Sequence, residues 1–125
     1  MSDIVWQSPA PSSGFFRGTS LEIRPRREIA VVFEFEDDNG RSRKAELTFK
    51  DVVHYRTTFL IALRPMLIHQ AYDRLVELRD SPELQEVMDA IKENGVEAIY
   101  RHYRVCFDDG PCFDFVCSSF AFVVL

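Results

Sequence analysis

The stretch Tyr100-Arg101-His102-Tyr103-Arg104-Val105-Cys106-Phe107, the segment Asp108-Asp109-Gly110-Pro111 and the stretch Cys112-Phe113-Asp114-Phe115-Val116-Cys117 decide the fold class. Tyr103, Val105 and Phe107 alternate with Arg104 and Cys106; Phe113, Phe115 and Cys117 alternate with Cys112, Asp114 and Val116. Two runs of period two with Gly and Pro between them are the pattern of an antiparallel hairpin with one aromatic, buried face. Such a face needs a sheet neighbour, a covering helix or a second chain to keep it from water.

A second hairpin reads upstream, over residues 28–50. Ile29, Val31, Phe33 and Phe35 lie on one face of its first strand, with Glu34 and Glu36 on the other. On the second strand Ala45, Leu47 and Phe49 face in, while Lys44, Glu46, Thr48 and Lys50 face out. A two-residue loop at Asn39-Gly40 would set inward Phe33 against outward Glu46, which a pleated pair does not allow. A three-residue loop, Asp38-Asn39-Gly40, keeps the faces in phase and puts Gly where the backbone turns left-handed. It pairs Phe33 with Ala45, Val31 with Leu47 and Glu34 with Lys44.

Between the hairpins the period changes. Ile68, Ala71, Tyr72, Leu75 and Leu78 share one stripe, which predicts a helix over about 66–79 with Pro65 in its first turn. Ser81 reads as an N-cap, Pro82 as the first helical residue and Glu83 as an acid near the positive helix end. Leu84, Val87, Met88 and Ile91 extend that second helix over about 82–94, closed by Asn94-Gly95. Residues 120–125 are apolar enough to form a further strand or to pack on a neighbouring subunit. Residues 1–25 read as an irregular, partly flexible segment because Pro and Ser recur in them. The order strands, helices, strands predicts an α+β fold: an antiparallel sheet of about four to five strands with two helices on one face.

At 125 residues with 46% hydrophobic residues and 11 Phe, the chain is long and apolar enough for one domain that needs no metal or disulfide staple. A net charge of -5 argues against a phosphate footprint, so no nucleic-acid partner is expected. No apolar run is long enough for a membrane span, and the first residues lack the form of a signal peptide. Three cysteines without such a signal suit a reducing compartment, so a cytoplasmic location is expected.

One short motif recurs. His54-Tyr55-Arg56-Thr57-Thr58-Phe59 and His102-Tyr103-Arg104-Val105-Cys106-Phe107 share the pattern H-Y-R-x-x-F. If the copies lie on neighbouring segments, His54, Arg56, Arg101, His102 and Arg104 gather into a cationic pocket. Guanidinium forks there would suit a carboxylate or phosphate. Cys106, Cys112 and Cys117 have no C-x-x-C spacing, so buried free thiols are expected and no metal site. One register of the C-terminal hairpin sets Cys106 opposite Cys112, and another does not. The acid pairs Asp37-Asp38 and Asp108-Asp109 precede Gly and read as turn residues.

The sequence carries no P-loop, no dinucleotide glycine fingerprint, no G-x-S-x-G and no H-E-x-x-H. No catalytic residue and no cofactor is expected. The reading that follows is a small non-enzymatic binding or protein-interaction module, of the immunity type or self-associating as a homodimer through its C-terminal strand. The alternative is a small anionic-ligand binder or enzyme that uses the His/Arg cluster.

Overall fold

The computed structural model describes residues 2–108 and 110–125. In chain order these form β1 (Ser2–Gln7), β2 (Phe16–Arg24), β3 (Glu28–Glu36), β4 (Ser42–Lys50), β5 (His54–Phe59), α1 (Pro65–Ala71), β6 (Arg74–Leu78), α2 (Pro82–Glu93), β7 (Arg101–Cys106), β8 (Pro111–Cys117) and β9 (Ser119–Val124). The strands build two antiparallel sheets, one in the order β1-β6-β7-β8-β5 and one in the order β2-β3-β4-β9. The chain is therefore α+β, mostly strand, as its alternating runs predict.

The β3–β4 hairpin has the register argued above, with Phe33 against Ala45, Val31 against Leu47 and Glu34 against Lys44. Asp37 and Arg41 close a three-residue loop through a backbone bond of 2.8 Å, and Gly40 takes φ +75°. Asp37 also caps that loop: its Oδ1 accepts the N–H groups of Asn39 and Arg41 at 2.9 Å each.

The two hairpins do not share one sheet. They face each other across the core, the β3–β4 hairpin in the four-stranded sheet and the β7–β8 hairpin in the five-stranded one. Ile29, Val31, Phe33, Ala45, Leu47 and Phe49 from one sheet meet Leu75, Tyr103, Val105, Phe113 and Phe115 from the other. Phe49 stacks on Phe115 with ring centroids 3.9 Å apart, and Phe33 stacks on Phe15 at 4.3 Å. Each aromatic face thus answers the other, so neither needs a helix to cover it. The helices cover the opposite, outer face of the five-stranded sheet, where Ala71 of α1 packs with Val76, Cys106 and Cys112.

Two expected stretches differ. The helix predicted over 66–79 is α1 alone, and Leu75 and Leu78 belong to β6. Asp73 ends the helix by adopting φ +56°, with its N–H bonded to the Cys106 carbonyl at 2.9 Å. Asp is among the few non-Gly residues that enter this region readily. β6 is covered on both faces, with Leu75 in the inter-sheet core and Val76 under α1, so it lacks the alternation of a half-exposed strand. Residues 1–25, expected to be irregular, carry β1 on the edge of one sheet and β2 on the edge of the other. The apolar tail is β9, paired with β4 from Ser119–Lys50 to Val124–Ala45. In the β7–β8 hairpin Cys106 faces Cys112 directly. The Asp109 half of the Asp108-Asp109 pair lies outside the described residues. Among the described residues no helix is long and apolar enough to cross a membrane.

Candidate functional site

The two H-Y-R segments are β5 and β7, and β8 runs between them, antiparallel to both. The registers match row by row. His54 and His102 both pair with Val116, Tyr55 and Tyr103 with Phe115, and Arg56 and Arg104 with Asp114. The motif therefore presents the same residues from both sides of one central strand. The tyrosine row points to the inter-sheet side and the His and Arg rows point outward, toward the helices.

Asp114 stands between its two arginines with its side chain almost wholly buried, and both carboxylate oxygens are engaged. Oδ1 accepts from Arg104 Nε at 2.8 Å and from His102 Nε2 at 2.7 Å; Oδ2 lies 3.4 Å from Arg56 Nη2. Burial alone would raise this carboxyl's pKa. The His102 hydrogen bond and the charges of Arg104 and Arg56 outweigh burial and hold it below the usual aspartate range. An ionised Asp114 only accepts, so His102 carries a proton on Nε2.

The start of α2 closes the site from above. Ser81 is the N-cap, its Oγ accepting the Leu84 N–H at 2.9 Å, and the same Oγ lies 2.6 Å from His102 Nδ1. Pro82 at the first helical position fixes the entry of the chain. In the first turn of the helix, Glu83 Oε1 forms an ion pair with Arg56 Nη1 at 3.0 Å. Its other oxygen, Oε2, lies 3.6 Å from both His54 Nε2 and His102 Nε2 and is buried with no hydrogen-bond partner among the described residues.

These groups surround a cleft of about 830 Å³ between α2 and the outer sheet face. His54, Arg56, His102 and Arg104 line it together, with Ser81, Glu83 and Glu86 of the α2 segment opposite. Arg101 stands apart. It shares a strand face with Tyr103, and its Nη1 bonds Glu77 at 2.9 and 3.2 Å. The parity of β7 alone separates Arg101 from His102 and Arg104.

The cluster is not the purely cationic pocket that its Arg and His residues suggest. Two guanidiniums are matched by two carboxylates, Asp114 and Glu83, neither of which the motif contains. One signal in the sequence pointed to Asp114: it is the lone charge inside the apolar run Cys112-Phe113-Asp114-Phe115-Val116. A charge kept inside such a strand needs a partner in the fold. Glu83 and Ser81 read from sequence as helix-start residues, and they hold those positions while also reaching the sheet.

Ser81, His102 and Asp114 follow the order nucleophile, base, orienter. The Ser81 hydroxyl is at the same time committed to the α2 cap, and both imidazole nitrogens are bonded inside the protein. The arrangement locks α2 to the sheet. No protein-family model matches the chain, and no curated protein or solved structure matches it either.

Proposed function

We propose that this protein binds a small anionic ligand in the cleft between α2 and the outer face of the five-stranded sheet. The observation that carries the reading is the convergence of His54, Arg56, His102 and Arg104 on one cleft from two strands with matching registers. Arg56 and His54 are the groups that meet the ligand, since 47% and 39% of their side-chain surfaces are open. Arg56 makes one ion-pair contact from each terminal nitrogen inside the protein and has further N–H donors for an incoming carboxylate or phosphate oxygen. Arg104 and His102 stand behind, held by Asp114, and fix the floor of the site.

The test is titration of the protein with inorganic phosphate and with small mono- and dicarboxylates, followed by thermal shift and calorimetry. Saturable stabilisation that Arg56→Ala removes is the expected result. A wild-type protein that responds to none of these anions overturns the reading.

A second reading, self-association or capture of a partner strand, is favoured by one specific feature. Among the described residues β9 pairs with β4 alone, so it ends its sheet as an edge strand, with Val123 and Val124 partly exposed. An unpaired edge accepts a further strand. Sedimentation tests it: a strict monomer at high concentration counts against self-association.

A further inference from the structure

We propose that Glu83, His102 and Asp114 form a site for a divalent ion of the zinc class. The proposal deepens the anion-binding reading, since it places the ion in the same cleft. The three residues offer an imidazole nitrogen and two carboxylate oxygens, all within 4.8 Å of one another. The independent sign is Glu83 Oε2, a buried carboxylate oxygen that no donor satisfies among the described residues. A buried carboxylate oxygen without a hydrogen-bond donor is costly unless something occupies it.

Distances agree with an ion between these atoms. At zinc–ligand lengths of about 2.0–2.2 Å, tetrahedral corners lie roughly 3.3–3.6 Å apart. Glu83 Oε2 stands 3.6 Å from His102 Nε2, and His54 Nε2 lies at the same 3.6 Å from Glu83 on the open side. The 2.7 Å hydrogen bond from His102 to Asp114 must lengthen, and the proton on His102 must move from Nε2 to Nδ1. His102 then binds through Nε2 with its proton on Nδ1, donating to Ser81 Oγ, which is already in place at 2.6 Å. Arg104 stays on Asp114 as the outer donor that ligating carboxylates ordinarily keep. Imidazole with carboxylate suits zinc better than magnesium, which prefers oxygen alone. The charge balance gives the ion a consequence. Arg56 and Arg104 are matched by Glu83 and Asp114, and Asp80 and Glu86 also line the cleft, so a bound dication offsets carboxylate charge that would otherwise repel an anion.

The experiment is calorimetric titration of the reduced, chelator-treated full chain with Zn2+ in the absence of any added anion ligand, and with Co2+ read by visible absorption. One saturable site is expected, weakened more than ~10-fold by Glu83→Gln. The Co2+ form should show d–d bands without a thiolate charge-transfer band. His54→Ala, at a half-exposed position, serves as the second variant and should weaken binding less than Glu83→Gln. Absence of saturable zinc binding overturns the proposal. So does binding that Glu83→Gln leaves unchanged, or a thiolate band that assigns the ion to Cys106 and Cys112. Anion titration is run on the chelator-treated protein and again after Zn2+ loading; an anion that binds in neither state overturns the ligand reading, whereas zinc binding is read without any anion, so failure of one is told apart from failure of the other.

Discussion

Arg104 and Asp114 face each other directly across β7 and β8, joined from Nε to Oδ1 at 2.8 Å, with both side chains nearly shut off from water. Coulomb attraction in such a place offsets a desolvation cost of similar size, so the pair's net contribution is small while the loss of one member is not. Asp114→Ala would leave Arg104, His102 and Arg56 without their common acceptor. We expect it to cost about 3–5 kcal/mol in urea unfolding. Asp114→Leu combined with Arg104→Met should cost much less than the sum of the single changes. Additive losses would mean that the two residues do not form one buried unit.

That pair also marks where the sequence stops being legible. The β3–β4 register could be argued to the residue, because Phe33, Ala45, Glu34 and Lys44 alternate about a Gly-containing loop and a one-residue slip would turn every side chain over. The aromatic faces of β7 and β8 were equally readable. What alternation does not tell is whether the other face is wet. Arg104, Asp114 and His102 read as outward-facing, and they are; they are nonetheless buried, because they neutralise one another under α2. β6 was invisible for a related reason: Leu75, Val76 and Leu78 all find apolar neighbours, and helix and strand periods coincide over so short a run. The H-Y-R motif pointed to four residues of the cleft, whereas Glu83 and Ser81 reach it through a contact of long range that no local pattern encodes.

The core assignment predicts a contrast within one strand. Phe33 is buried between Phe15 and the aromatic residues of the facing sheet, and Glu36 on the same strand is exposed. Phe33→Ala is expected to lose about 3–5 kcal/mol of unfolding free energy. Glu36→Ala should change it by less than ~0.5 kcal/mol. Equal, small effects would place the core elsewhere.

None of the residues of α2 is fully buried, so the helix depends on its N-terminal anchor. Ser81 supplies two bonds there, the cap to Leu84 N–H and the contact with His102 Nδ1. Ser81→Ala removes both and should cost about 1–2 kcal/mol, whereas Ser81→Gly retains most of the capping propensity. Hydrogen exchange should show faster exchange over α2 in Ser81→Ala while β7 and β8 keep their protection. If the Gly variant loses as much as the Ala variant, the His102 contact rather than the cap holds the helix down.

Alkaline pH should unfold the protein through buried groups on both faces of the five-stranded sheet, Tyr103 and Cys117 on the inner one and Cys112 on the outer. Burial pushes the Cys117 thiol from 9.0 to about 12 and the Tyr103 phenol from 10.0 to about 12, and Cys112 is raised by its hydrogen bond with Cys106 and by burial. In each case the folded state favours the neutral form, so the unfolded chain releases its proton first as pH rises. The associated stability is fully present below the unfolded values and is lost as pH climbs through the folded ones. Urea midpoints should therefore hold steady up to about pH 9 and fall between there and about pH 12. Tyr103→Phe should make that fall shallower above about pH 10, because it removes one of the protons whose release drives unfolding. The thiols should react with an alkylating reagent only as fast as the sheet opens, since the thiolate is the reactive species and burial suppresses it. A Tyr103→Phe curve identical to wild type, together with rapid alkylation of the native protein near neutrality, would show that these groups are not held neutral by the core.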